Sequence, residues 1–358
     1  MISRETLAGA AFLALIGVAL PLLGLAPVAL VPIYLVNAAG QILCFVMLAM
    51  SVDLMWGGVG VLSLGHGLYF ALGGYLMAMH LLRTAYAQTG VLPDFLNFMG
   101  QSAFPAWWVA FDSSLFTLIA LVAAPALAAG VFGYVSFRSR VNGVYLSIIT
   151  QALTYTAMLM MFRNNSGFGG NNGMTGFHDF LGLRIGGVAC AVLLATLSGL
   201  AALVAFTLGR VLLATRYGRL LAAIRDDEPR LRFLGYETLW IKLSAWCLSA
   251  VLAALAGALY VPQVGIINPS EFAPGNSIEA AIWVAVGGRA TLVGAAVGGI
   301  LVNFAKTWFT GAVPEYWLFA LGLLFVVVTL FLPSGLLGLL SKIRARRAPP
   351  QVATGTAT

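Results

Sequence analysis

Runs of about 20 apolar residues, the length a helix needs to cross the hydrocarbon core of a bilayer, recur along this chain and decide its class. They cover roughly 7–25, 33–55, 58–82, 115–137, 143–162, 186–209, 241–262 and 315–337, with a longer stretch at 277–309. Of the 358 residues, 61% are hydrophobic and 9% charged, whereas a water-soluble domain carries about 25% charge. The polar coat that water demands is missing. In lipid, backbone polar groups must be satisfied within the segment, which makes such runs helices. The predicted fold is an all-α polytopic transmembrane bundle, one domain over 1–342, followed by a basic, disorder-like tail at 343–358.

Charge sets the direction of the spans. The connection 210–242 holds Arg210, Arg216, Arg219, Arg225, Arg230, Arg232 and Lys242, and the tail holds Lys342, Arg344, Arg346 and Arg347. Positive charge between spans marks the cytoplasmic side, so the net charge of +7 reads as topology and not as a nucleic-acid surface. Joining both segments to one side requires 277–309 to split near Gly287-Gly288-Arg289. That gives about ten spans with both termini cytoplasmic, the first run being a retained span and not a cleaved leader. The same parity puts Arg138-Ser139-Arg140 inside and the loops 83–114 and 163–185 outside, with Trp107 and Trp108 as interfacial anchors.

Glycine, at 41 residues, predicts close helix packing, as in the small-residue pattern of 285–299. Cys44, Cys190 and Cys247 lie in apolar runs without metal-ligand spacing and read as packing residues. No metal or cofactor is expected. Between 57 and 74 glycine recurs so densely that the segment either lets helices touch or forms a broken helix lining a cavity. Ser63 and His66, three residues apart, would share a helix face. His66 is either a functional intramembrane group or a neutral imidazole satisfied near a helix end. Asp53 reads as an interfacial or helix-capping carboxylate.

The outer loop from Arg163 to Gly176 is rich in amides and glycine, including Asn171 and Asn172, and is placed at the mouth of a pathway. In the basic connection, Asp226 or Asp227 can cap a helix with Pro229 in its first turn and Gly235 at its end. A short helix so bounded, with Leu231, Phe233 and Leu234 available for burial, reads as a protein-docking element. The chain carries no GxxxxGK[ST] phosphate loop, so ATP hydrolysis falls to partners. No catalytic constellation and no charged cluster within the spans is expected either, and the chain reads as a non-enzyme.

Several runs together carry a resemblance. They are Gly-Val-Leu-Ser-Leu-Gly-His-Gly at 60–67, Val-Tyr-Leu-Ser-Ile-Ile-Thr-Gln-Ala-Leu at 144–153, Ala-Ile-Arg-Asp-Asp-Glu-Pro-Arg at 223–230 and Ala-Val-Gly-Gly-Arg-Ala-Thr-Leu-Val-Gly-Ala at 285–295. From about Asn37 to Leu337 the chain resembles the permeases of branched-chain amino acid and urea ABC importers. Residues 162–165, 169–173, 268–274 and 306–311 look like the urea-type second permease of that family.

The resemblance implies a bacterial inner-membrane complex of two different permeases, two cytoplasmic ATPases and a periplasmic binding protein, importing urea by alternating access. It also implies that 225–235 is the coupling helix, with Arg225, Asp226, Asp227, Glu228, Arg230, Arg232, Leu234 and Gly235 toward the ATPase. The acid-alanine-alanine pattern of many coupling helices is here Glu228-Pro229-Arg230. Candidate pathway residues are Ser63, Gly65, His66, Gly67, Tyr145, Thr150, Gln151, Asn171 and Asn172. The alternatives are a branched-chain amino acid cargo or a passive channel for urea or small amides.

Overall fold

The structure is a computed structural model that describes residues 9–11, 13–15, 17, 32–98, 100–141, 143–163, 167–312, 314–331 and 335–339. Most of the run 7–25, residues 164–166 and the tail 343–358 lie outside the described residues. Helix α1 (Ile33–Asp53) continues as a π-helical turn over Leu54–Val59, and α2 is His66–Thr89. A five-residue helix (Asp94–Phe98) and a 3-10 turn (Ala106–Asp112) lead to α3 (Ser114–Arg138) and α4 (Val144–Met161). Then come α5 (Val188–Ala214), α6 (Arg216–Phe233) and α7 (Thr238–Val264). The series closes with α8 (Pro274–Gly287), α9 (Leu292–Ala312) and α10 (Trp317–Phe331). Six of the described helices are long and apolar enough to cross a membrane: α1 with its π turn, α3, α4, α5, α7 and α9. The stretch 277–309 divides between α8 and α9 where Gly288-Arg289 was expected to split it.

Helix α7 packs against α2, α3 and α1, while α1 also meets α5 and α9. Backbones touch at several glycines that face a neighbouring helix. A Cβ on Gly73 would fall on the Ala254 carbonyl, and one on Gly257 on the Phe70 carbonyl, which clamps α2 to α7. Gly287 lies equally close to the Gly294 carbonyl and Gly298 to that of Trp283, clamping α8 to α9. Dispersion replaces the hydrophobic effect as the attraction between helices in lipid, so this closeness is what joins each pair. Cys44 and Cys190 are buried and Cys247 is half-buried, as packing residues.

Two polar links hold the end of the bundle that carries Arg138, Arg225 and Arg289, hereafter the basic end. Asp53, 2% exposed, accepts a hydrogen bond of 2.7 Å from the Ala290 backbone in the α8–α9 turn. Arg225 Nη1 donates at 2.8 Å to the Gly57 carbonyl in the π turn. At the opposite end, β1 (Met174–Thr175) pairs antiparallel with β4 (Ile266–Ile267), and β2 (Asp179–Phe180) with β3 (Leu183–Arg184). Trp107 remains half-exposed, but Trp108 is fully buried against Phe95 and Phe104. The anchor reading therefore fails for Trp108, which is the core of a small aromatic cap.

Candidate functional site

Residues 60–65 leave the helical path. Gly60, at φ +82, ends the π turn in a conformation that L side chains rarely adopt, and α2 begins only at His66. The backbone groups freed by this break are met by hydroxyls of α4. Thr150 Oγ1 accepts from the Leu64 N–H at 3.1 Å, and Ser147 Oγ donates to the Leu62 carbonyl at 2.7 Å. Broken helices survive at membrane depth only with such partners.

The break corrects one expectation: Ser63 and His66 do not share a helix face, because Ser63 lies in the extended segment and its Oγ accepts from the Gly65 N–H. Thr150, taken from the sequence as a pathway residue, is buried and bonded to this backbone. Tyr145, on the far side of α4, is 76% exposed and lines no part of the cavity described next. Gln151 lies outside that lining too.

Beside the start of α2 lies a cavity of about 340 Å³, within the range of small-molecule sites. One wall is aromatic: Phe45 of α1 stands 5.1 Å from Tyr260 and 5.3 Å from Trp283, and Phe70 of α2 stands 5.3 Å from Tyr260, ring centre to ring centre. The other wall is charged. Lys306 Nζ of α9 donates to both oxygens of Glu279 on α8 at 2.9 Å. Glu271, in the 3-10 turn Pro269–Phe272, completes this wall, and burial pushes its carboxyl above the ordinary range. Asn276 Nδ2 holds the turn through the Ser270 and Glu271 carbonyls at 3.2 and 3.1 Å. The expectation of spans without a charged cluster is thus overturned, since Glu279 and Lys306 both lie in helices of the 277–309 stretch.

Among the sequence-derived candidates only Gly67 lines this cavity; its N–H donates to Ser277 Oγ at 2.9 Å. His66 is buried beside it, with Nε2 3.1 Å from Ser249 Oγ of α7 and its ring edge-on to Tyr69 and Trp246. Asn171 and Asn172 are exposed and outside the lining. Their loop reaches the site through β1, whose partner strand β4 runs directly into the turn that carries Glu271. Tyr260, Trp283, Asn276 and Lys306 escaped the sequence reading. Ionisable residues inside apolar runs were the available signal for Glu279 and Lys306.

A second assembly stands at the basic end. Helix α6 is bent at Asp227, whose φ of −158° and ψ of 86° interrupt the helix. Asp227 Oδ1 accepts from the Arg230 N–H at 3.1 Å, Pro229 sits in the new first turn, and Gly235 follows the end at φ +88. This is the capping pattern that the sequence spelled. Phe233 is 92% and Leu234 66% exposed, whereas Leu231 is buried.

Asp226 pairs with Arg225, at 3.2 Å on the surface. Glu228, by contrast, turns into the bundle. Its Oε1 receives Arg232 Nη2 at 2.6 Å, Thr238 Oγ1 at 2.8 Å and Lys242 Nζ at 2.7 Å. Burial raises the pKa of this carboxyl, but the bonds from Lys242, Thr238 and Arg232 outweigh burial and hold it below the ordinary carboxylate range.

Residues 34–329 match the profile of the family described as branched-chain amino acid transport system / permease component. The chain is 26% identical over 325 residues to the high-affinity branched-chain amino acid transport system permease protein LivM of Escherichia coli, covering 84% of this chain and 69% of that one. It is 25% identical over 305 residues to the corresponding protein BraD of Pseudomonas aeruginosa, covering 82% and 91%. A shorter match, 27% over 124 residues, joins it to the fructose import permease protein FrcC of Rhizobium meliloti, covering 33% and 34%. No solved structure matches.

Proposed function

Because this chain belongs to the family of permease components of branched-chain amino acid transport systems, we propose that it is one of two different membrane subunits of an ATP-driven importer whose cargo is a branched-chain amino acid. It is a multi-pass membrane protein by its apolar helices and its family. In the proposed assembly it lies in the bacterial inner membrane with two cytoplasmic ATPases and a periplasmic binding protein. About ten crossings, with both termini cytoplasmic, put the basic end inside.

The observation that carries the reading is α6. A chain without a phosphate loop must borrow its energy, and this bent helix presents Phe233 and Leu234 to solvent at the basic end. Standing among the charges of α6 and not on an apolar span, these two side chains suit a partner protein that covers them. ATP binding would close the ATPases on this helix and turn the cavity from one side of the membrane to the other.

The cargo follows from the cavity. An α-amino acid carries a carboxylate, an ammonium and here an apolar side chain, and the walls offer Lys306, two carboxylates and four aromatic rings. Urea needs none of the charges, and the amides of Asn171 and Asn172 that favoured it lie outside the lining. The two relatives matched over most of their length carry branched-chain amino acid transport in their names.

Uptake of labelled leucine and of labelled urea by cells with and without this chain tests the cargo. Leucine uptake alone should fall, and loss of urea uptake alone would reverse the assignment. Phe233→Glu should release the ATPases from the purified complex. Their retention would remove α6 as the docking element.

A further inference from the structure

The bend in α6 divides its tethers between two parts of the bundle. Before the bend, Arg225 Nη1 holds the Gly57 carbonyl in the π turn that ends α1. Asp53, the last residue of α1 before that turn, holds the backbone of Ala290 between α8 and α9. After the bend, Glu228 and Arg232 hold Thr238 and Lys242 at the start of α7.

Each part is itself clamped by touching glycines, α8 to α9 and α2 to α7. The first pair carries the charged wall of the cavity, Glu279 and Lys306, together with Trp283. The second carries Gly67, Phe70 and Tyr260. Lys242 and Tyr260 are 18 positions apart on one helix, so a push at the first reaches the second over about 27 Å of continuous helix.

We propose that α6 is a divided lever, with Asp227 as its joint, and that the Glu228–Lys242 pair is the positioning link that passes motion of the docking helix to the α2/α7 wall of the cavity. The inference rests on reading α6 as the ATPase-docking helix. It gives Glu228 a role opposite to that of a docking carboxylate, since it faces Lys242, which is 1% exposed. Lys242 Nζ also lies 5.0 Å from the Phe137 ring centre of α3, so the link is enclosed on both sides.

The test uses the complex purified with its co-expressed partner subunits and placed in proteoliposomes with leucine-loaded binding protein. The double variant Glu228→Gln with Lys242→Met removes the charge link without leaving a lone buried charge, and Lys242→Arg preserves the link. In the double variant the ATPases should stay bound and continue to hydrolyse ATP, while leucine moved per ATP falls roughly tenfold or more. Lys242→Arg alone, with Glu228 intact, should keep most of the yield of the unaltered chain.

An unchanged yield in the double variant would overturn the lever. So would loss of the ATPases from the double variant alone, which would make the pair part of the docking surface. If no ATPase accompanies the unaltered chain, the docking reading itself fails and takes the lever with it.

Discussion

A lysine meets a glutamate near each end of α7, and the two pairs are built for opposite purposes. Lys242 and Glu228 lie 2.7 Å apart with the lysine side chain 1% exposed, and Arg232 and Thr238 donate to the same carboxylate oxygen. Lys306 and Glu279 lie 2.9 Å apart, but that lysine is 36% exposed and the pair borders about 340 Å³ of open space. Distance does not separate them; surroundings do. Charges enclosed by their own chain are fixed in place, because losing one partner strands the other in a low dielectric. Charges that face a cavity can trade partners with a solute at small cost.

The sharpest way to break this contrast is to remove each lysine. Lys242→Met should destabilise the chain by about 1.5–3 kcal/mol, the cost of one charge-assisted bond, because Arg232 and Thr238 still hold Glu228. Thermal unfolding in detergent would measure this, and Glu228→Gln on the same chain should recover most of the loss. Thr150→Val belongs to the enclosed class as well, since it strips the Leu64 N–H of its acceptor, at a cost of about 1–3 kcal/mol. It should leave the leucine concentration dependence of uptake unchanged. Lys306→Met should cost about 1–2 kcal/mol of stability, since Glu279 is 10% exposed and loses its cation but borders the cavity. Uptake of leucine should nonetheless weaken in that variant, and equal uptake by both forms would end the claim that the cavity reads charge.

The smallest effects are those of pH. The folded-state pKa of Glu228 is lowered, so its contribution is complete at neutral pH and is lost as pH falls through that lowered value. The pKa of Glu271 is raised by burial, so its ionisation costs stability as pH rises. Glu271→Gln should therefore raise the melting temperature at neutral pH, with the gain shrinking on acidification. Melting curves of both forms across the acid range check the sign.

Local signals were legible in the sequence and distant ones were not. The apolar runs announced the class of fold, and Asp227, Pro229 and Gly235 announced the bend in α6, because capping depends on neighbours within a turn. The division of 277–309 was readable from charge parity. The cavity was not, since Phe45, Gly67, Tyr260, Glu279 and Lys306 meet only once α1, α2, α7, α8 and α9 have packed. Of the two courses the glycines of 57–74 allowed, the broken helix is the one present. What misled was the three-residue spacing of Ser63 and His66, which suits a helix face that the extended course, held by hydroxyls of α4, removes. Asn171 and Asn172 have the chemistry to bond a polar solute but stand outside the cavity lining.

Those hydroxyls also impose an order on how the chain is made. Leu64 and its acceptor Thr150 are separated by 86 residues, and synthesis adds about 5–20 residues per second, so roughly 4–17 seconds pass between the making of the two. Through that interval the N–H of Leu64 and the carbonyl of Leu62 have no partner from α4. Until then the segment 60–65 can satisfy these groups only as helix or beside water, and its extended course can settle only as α4 arrives.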